Sequence, residues 1–111
     1  MEIKKEIQGQ SMTIALSGRL DAVSSIDLEK ELKAMPEGTK EIVFDLQELY
    51  YIASAGLRVL LKCYKQMDKQ DGKVRLCNIQ DTVMEVLEMS GLCDILHVKP
   101  EKGKMPAVSI G

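Results

Sequence analysis

Between Ser11 and Ser17 the chain reads S-M-T-I-A-L-S. Met12, Ile14 and Leu16 alternate with smaller or polar residues, which is the period of a half-buried strand. Ile3–Gln8 is a weaker strand candidate, and Gly9-Gln10 between the two suits a hairpin turn. Gly18-Arg19-Leu20-Asp21 ends the strand and opens a loop, after which Ser24 or Ser25 offers a helix N-cap. Leu28, Leu32 and Met35 then recur at helical spacing, with Glu29, Lys30, Glu31 and Lys33 placed to face water. Pro36-Glu37-Gly38 stops that helix.

Glu41-Ile42-Val43-Phe44-Asp45-Leu46 is a short apolar run rich in β-formers. Such a run suits a strand buried on both faces of a parallel sheet. Leu57, Leu60, Leu61 and Tyr64 mark a second amphipathic helix that ends near Gly72. Lys73–Cys77 is a third clear strand, with Val74 and Leu76 on one face. Asp81 is the expected N-cap of a third helix, Val83, Val86 and Leu87 its apolar stripe, and Gly91 its stop. Asp94–Val98 is expected as a last short strand. Beyond it Pro100, Gly103 and Pro106 predict a loosely structured tail over residues 99–111.

Strands alternating with helices define an α/β fold, a small mixed, largely parallel sheet flanked by α-helices. No repeat or linker interrupts the pattern. The length fits one compact domain over residues 1–111.

Composition narrows the chemistry. Aromatics are only 4% of the chain, so the core must be aliphatic, with seven Met as adaptable filler. The net charge is −2 and no cationic cluster stands out, which argues against direct nucleic-acid binding. A partner protein is the expected ligand. The first six residues carry charge where a secretory leader needs an apolar core, and no apolar run approaches bilayer length. A cytoplasmic protein with no membrane insertion is therefore expected. Cys63, Cys77 and Cys93 are odd in number and far apart, without a CxxC pair. That pattern predicts reduced thiols, with no disulfide scaffold, metal site or cofactor.

The informative stretch runs from Asp45 to Leu57, where a strand passes through a loop into a helix. Ser54 sits where that helix begins, flanked by Ala53, Ala55 and Gly56, whose small bulk leaves the hydroxyl accessible. A serine there is a natural N-cap, and a capping serine can also be modified. A hydrolase elbow needs Gly two residues to either side of its Ser. Here Gly56 follows but Ile52 precedes, and the sole histidine, His97, lies near the C-terminus. A catalytic nucleophile is therefore rejected. No Walker or dinucleotide glycine pattern is present either.

Three stretches in order carry a family resemblance: Leu16–Asp21; Ile42–Leu46 running on to Ile52–Leu57 with Leu60-Leu61; and Met89–Leu92. Together they resemble the STAS family, named for sulphate transporters and anti-sigma factor antagonists, and in particular its stand-alone bacterial antagonists. The resemblance implies partner switching without catalysis by this chain. The unphosphorylated antagonist binds an anti-sigma factor that is also an ATP-using serine kinase, which frees a sigma factor. Phosphorylation of the serine at the start of the second helix releases it, and a serine phosphatase resets it. The matching serine is Ser54. Asp21 matches an acidic residue of the partner-binding loop, although a loop aspartate also bonds its own backbone. Ala53, Ser54, Ala55, Gly56 and Arg58 complete the implied partner surface. Arg58 stands where a small residue is common, and its cation is either solvated or paired with a phosphate or acidic partner. The family loop commonly reads Asp-Ser-Ser-Gly, so Ala53 and Ala55 are departures. The family also contains accessory subunits of membrane lipid transporters and stress-signalling scaffolds, which form the alternative. Monomer and weak dimer both remain open.

Overall fold

The computed structural model describes residues 1–96 and the backbone of 107–108. In chain order the elements are β1 (Glu2–Gln8), β2 (Ser11–Leu20), α1 (Ala22–Lys33), β3 (Glu41–Ile52), α2 (Ser54–Lys69), β4 (Lys73–Cys77), α3 (Asp81–Met89), α4 (Leu92–Ile95) and β5 (Ala107–Val108). The five strands lie in the order β1-β2-β3-β4-β5. β2, β3 and β4 run parallel, while β1 and β5 are antiparallel to their neighbours. The expected mixed, largely parallel sheet is present.

Burial alternates along the central strands. Met12, Ile14 and Leu16 of β2, Ile42, Phe44 and Leu46 of β3, and Val74 and Leu76 of β4 are buried. They form one core with Leu28 of α1, Leu57, Leu60, Cys63 and Met67 of α2, and Val83 and Leu87 of α3. The intervening Glu41, Val43 and Asp45 of β3 are only half-buried. The strand is thus not buried on both faces, as its apolar run suggested. Its alternating residues already include Glu41 and Asp45, and the helical core residues gather on the other face of the sheet.

β3 also runs six residues past Leu46, to Ile52. Gln47 and Glu48 are exposed and break the apolar pattern, but Leu49 and Ile52 return to the core. Register shifts between Ala15 and Ser17, and between Gly18 and Arg19, accommodate the change beside β2.

The α1 cap is Asp21 rather than Ser24 or Ser25. Asp21 is extended (φ −113°, ψ −168°), and its carboxylate accepts the N–H groups of Val23 at 3.1 Å and Ser24 at 3.0 Å. Ser24 returns a bond by accepting the Asp21 N–H at 2.9 Å, which completes a capping box. Ser24 and Ser25 lie inside the helix, buried, donating to the backbone carbonyls of Arg19 and Asp21. Asp81 likewise begins α3 from within, and Gln80 holds the cap position. Its carboxylate in the first turn still favours the helix dipole.

Gly91 stops α3 as expected, in the left-handed region at φ +80°. The strand predicted over Asp94–Val98 does not form at its start. Asp94 and Ile95 belong to α4, because the Gly91 turn lets Leu92, Cys93 and Leu96 reach the core from one helical turn. His97 and Val98 lie outside the described residues. Within the predicted loose tail, Ala107–Val108 form a strand against Leu76–Cys77 of β4. The rest of the tail lies outside the described residues.

Candidate functional site

Two strand-to-helix junctions meet at one end of the sheet. β2 ends at Leu20 and Asp21 caps α1; β3 ends at Ile52 and Ala53 caps α2. Leu20 and Ile52 are register partners, and the Ala53 N–H donates to the Leu20 carbonyl at 2.9 Å. Sites in sheets of parallel strands form beyond these C-terminal ends.

Gly56 sets how closely α2 sits on that end. A Cβ there would lie 2.7 Å from Leu20 Cγ, 2.8 Å from Leu20 Cδ2 and 3.1 Å from Ile52 Cγ1. Only a hydrogen fits, so the first turn of α2 rests directly on the last residues of β2 and β3.

Ser54 is exposed, as its small neighbours predicted, but it is not the cap. Ala53 occupies that position (φ −101°, ψ 171°), and α2 has no side-chain cap bond. Ser54 is already helical, the first residue of α2. Among the described residues that hydroxyl makes no hydrogen bond. The first turn also carries no acidic residue. Unsatisfied N–H groups and the positive end of the helix dipole therefore meet solvent beside the hydroxyl.

Ala55 is half-buried and lines a shallow groove between α1 and α2, together with Ala22, Ser25, Ile26 and Arg58. Arg58 is exposed one helical turn beyond Ser54 and makes no ion pair among the described residues. At the far end of the groove, Lys62 is engaged by Glu29 at 2.7 Å. Asp21 lies across the junction, its carboxylate occupied by its own helix start. Bonds from Ser24, reinforced by Val23 and the nearby Arg19 cation, hold that carboxyl below its ordinary range.

The sequence pattern missed the exposed apolar side chains at these junctions. Val23 is 75% exposed, Ile26 56%, Tyr50 53% and Tyr51 40%. The Arg19 guanidinium sits over the Tyr51 ring, 4.1 Å from its centroid, in a cation–π contact. The signal was available: Val23 and Ile26 fall off the Leu28–Leu32 stripe, and Tyr50-Tyr51 lie between the buried Leu49 and Ile52. Large side chains off the core period must face outward.

Among the described residues no His, Cys, Asp and Glu cluster is placed to hold a metal. Among the described residues no titratable side chain is hydrogen-bonded to the Ser54 hydroxyl. An exposed hydroxyl at a positive helix end, on the end of the sheet where these apolar and aromatic side chains are exposed, suits protein docking and charge-based modification.

Fold and site together define a small α/β domain with an exposed serine at a helix start beyond its parallel strands. The STAS domain family matches residues 2–105, and the chain belongs to that family. It is 40% identical over 84 residues to the putative anti-sigma factor antagonist BtrV of Bordetella bronchiseptica, covering 75% of this chain and 72% of that protein. It is 26% identical over 99 residues to the anti-sigma-B factor antagonist of Staphylococcus aureus, covering 88% and 92%. Among solved structures, the fold is similar to the anti-sigma factor antagonist SpoIIAA in its unphosphorylated form, with a TM-score of 0.73, 24% identity and 82% of each chain covered. The phosphorylated form of Bacillus SpoIIAA matches with a TM-score of 0.69, 20% identity, and coverage of 84% and 86%. Within that family the chain groups with the anti-sigma factor antagonists. No helix among the described residues is long and apolar enough to cross a membrane.

Proposed function

We propose that this protein is a partner switch whose binding state is set by phosphorylation of Ser54. Unphosphorylated, it docks on an anti-sigma factor that is also a serine kinase, and a sigma factor is freed. Transfer of the ATP γ-phosphate to the Ser54 hydroxyl releases it, and a serine phosphatase restores the binding form. The docking surface comprises Asp21, Ala53, Ser54, Ala55, Gly56 and Arg58, with residues 1–111 working as one cytoplasmic unit.

The observation that carries this reading is the exposed, unengaged hydroxyl of Ser54 in the first turn of α2. A phosphate there adds about −1.5 to −2 charge. The open N–H groups and dipole of the helix favour that charge by about 0.3–1 kcal/mol, so the fold tolerates it. A partner packed on Ala55, Ile26 and Tyr51 would instead desolvate the dianion without a prepared counter-charge. Release follows from local electrostatics, with no refolding. Ala53 fits this arrangement. An acidic side chain at the cap would take the α2 N–H groups and repel the phosphate, whereas alanine does neither.

The test is incubation with the cognate kinase and ATP, then phosphate mapping by mass spectrometry. Phosphate on Ser54 is expected, and modification elsewhere with Ser54 untouched would overturn the reading. Ser54→Asp should bind the anti-sigma factor more weakly than Ser54→Ala. Recovery of transporter subunits in a pull-down, with no kinase, would favour the accessory-subunit role.

A further inference from the structure

β1 is a terminal strand of the sheet, and among the described residues nothing pairs with its outer edge. An open edge presents unpaired N–H and C=O groups to any strand that fits. β1 reads Glu2-Ile3-Lys4-Lys5-Glu6-Ile7-Gln8, and every residue except Ile3 is exposed. Its register places Ile3, Lys5 and Ile7 opposite the core residues Leu16, Ile14 and Met12 of β2. These three share the helix-covered face, and Lys5 pairs there with Glu31 of α1 at 3.0 Å. Lys4 and Glu6, opposite Ala15 and Thr13, point to the other face.

This strand is complementary to its own reverse. If two copies pair antiparallel about Lys5, Ile3 of each faces Ile7 of the other. Lys4 of each then faces Glu6 of the other. Ile7, 52% exposed although it lies on the core side, would gain the cover it lacks in the single chain. The two Lys5 side chains meet on the axis, each already compensated by its own Glu31. Neighbouring registers are worse. A two-residue slip one way sets Lys4 against Lys4 and Glu2 against Glu6; the other way sets Glu6 against Glu6. Like charges directly opposite each other across a sheet are destabilising.

We propose that the outer edge of β1 is a homodimerisation strand in this register, and that its occupant is a second copy of this chain. The pairing is isologous, with a two-fold axis normal to the sheet through Lys5. That axis reverses strand direction, so the two Ser54 ends point to opposite ends of a continuous sheet. Neither is covered, and the dimer offers two docking sites. The inference does not depend on the function proposed for Ser54.

Sedimentation velocity on the intact protein, from micromolar to millimolar, tests it. The unmodified protein should pass from monomer to dimer. Lys4→Glu and Glu6→Lys should each weaken self-association by about tenfold or more, since two facing pairs become repulsive. Both side chains are exposed with uncharged cross-strand neighbours, so both variants should fold, as circular dichroism will verify. An equimolar mixture of the two variants should dimerise again, because opposite charges then face each other at both positions. A monomer at all concentrations would overturn the proposal. So would a mixture that associates no better than its components.

Discussion

Gly56→Ala sets the packing at the α2 start against helix propensity, and the two have opposite signs. Gly56 lies within a regular helix, where alanine normally stabilises by about 1 kcal/mol. The structure predicts the reverse here. The new Cβ would lie 2.7 and 2.8 Å from two atoms of Leu20 and 3.1 Å from Ile52. Leu20 has no solvent exposure, and one of the clashing atoms is its branch carbon. Relief requires moving that leucine within a filled core or tilting α2 off the sheet. Overpacking of this kind costs about 1–3 kcal/mol, and a clash with a branch carbon belongs at the upper end. After the propensity gain, a net loss of about 1–2 kcal/mol remains. For a domain of this size, each kcal/mol lowers Tm by about 4–8 °C. Urea and thermal unfolding followed by circular dichroism measure it. Adding Leu20→Ala removes the clashing atoms, so the double variant should be less destabilised than the sum of the single ones. A Gly56→Ala protein as stable as the parent, or strict additivity of the pair, would refute the packing argument.

Three further outcomes are expected. Asp21→Ala should lower Tm by a few degrees and Asp21→Asn by much less, because asparagine caps a helix about as well. The Asp21 carboxyl is held below 3.8, so its contribution is present above that value and lost as acid protonates the folded state. Asp21→Asn should accordingly flatten the acid limb of a stability–pH curve. Burial pushes the Cys63 thiol up to about 12 from an ordinary 9.0. Native protein at neutral pH should therefore resist alkylation at Cys63 until urea unfolds it, as mass spectrometry will show. Because the folded value is the higher one, this thiol's stabilising contribution is full below 9.0 and falls as pH rises toward 12. Phosphate on Ser54 should leave Tm unchanged or slightly raised; a large fall would contradict a purely local electrostatic switch.

The legible parts of the fold were those where one residue in two or in three to four faces the core without interruption. Met12, Ile14 and Leu16 satisfy that condition, and so do Leu57, Leu60 and Leu61. β3 beyond Leu46 does not, because consecutive exposed Gln47 and Glu48 accompany a register shift that only the neighbouring strand reveals. The α1 cap lies three or four residues before the serines that the sequence offers for it, for a similar reason. Asp21 and Ser24 each have capping chemistry, and only the backbone path decides which is extended and which helical. Asp94–Val98 begins with residues of either tendency, and the left-handed turn at Gly91 decides for helix. The place of Ser54 could be read from its small neighbours. That Val23, Ile26, Tyr50 and Tyr51 face outward could be read from their place off the core period; that they gather at one end of the sheet could not, because they come from two segments, the start of α1 and the end of β3, brought together only once the strand ends are joined.

The two helices that start side by side at this end of the sheet differ in one chemical respect. The first turn of α1 is capped: the Asp21 carboxylate accepts the N–H groups of Val23 and Ser24, and the Ser24 hydroxyl accepts that of Asp21. A phosphate on Ser24 or Ser25 would have to displace those bonds from a buried position. α2 starts on an alanine, forgoing a cap worth about 1 kcal/mol. Its apolar stripe offsets that loss by burying Leu57, Leu60, Cys63 and Met67. The forgone cap leaves open donors beside the one exposed hydroxyl of either first turn. A modification that adds negative charge is therefore favoured at Ser54 and resisted at its two nearest rivals. On this argument, the choice of phosphoacceptor rests on the missing cap of α2 as much as on the serine itself.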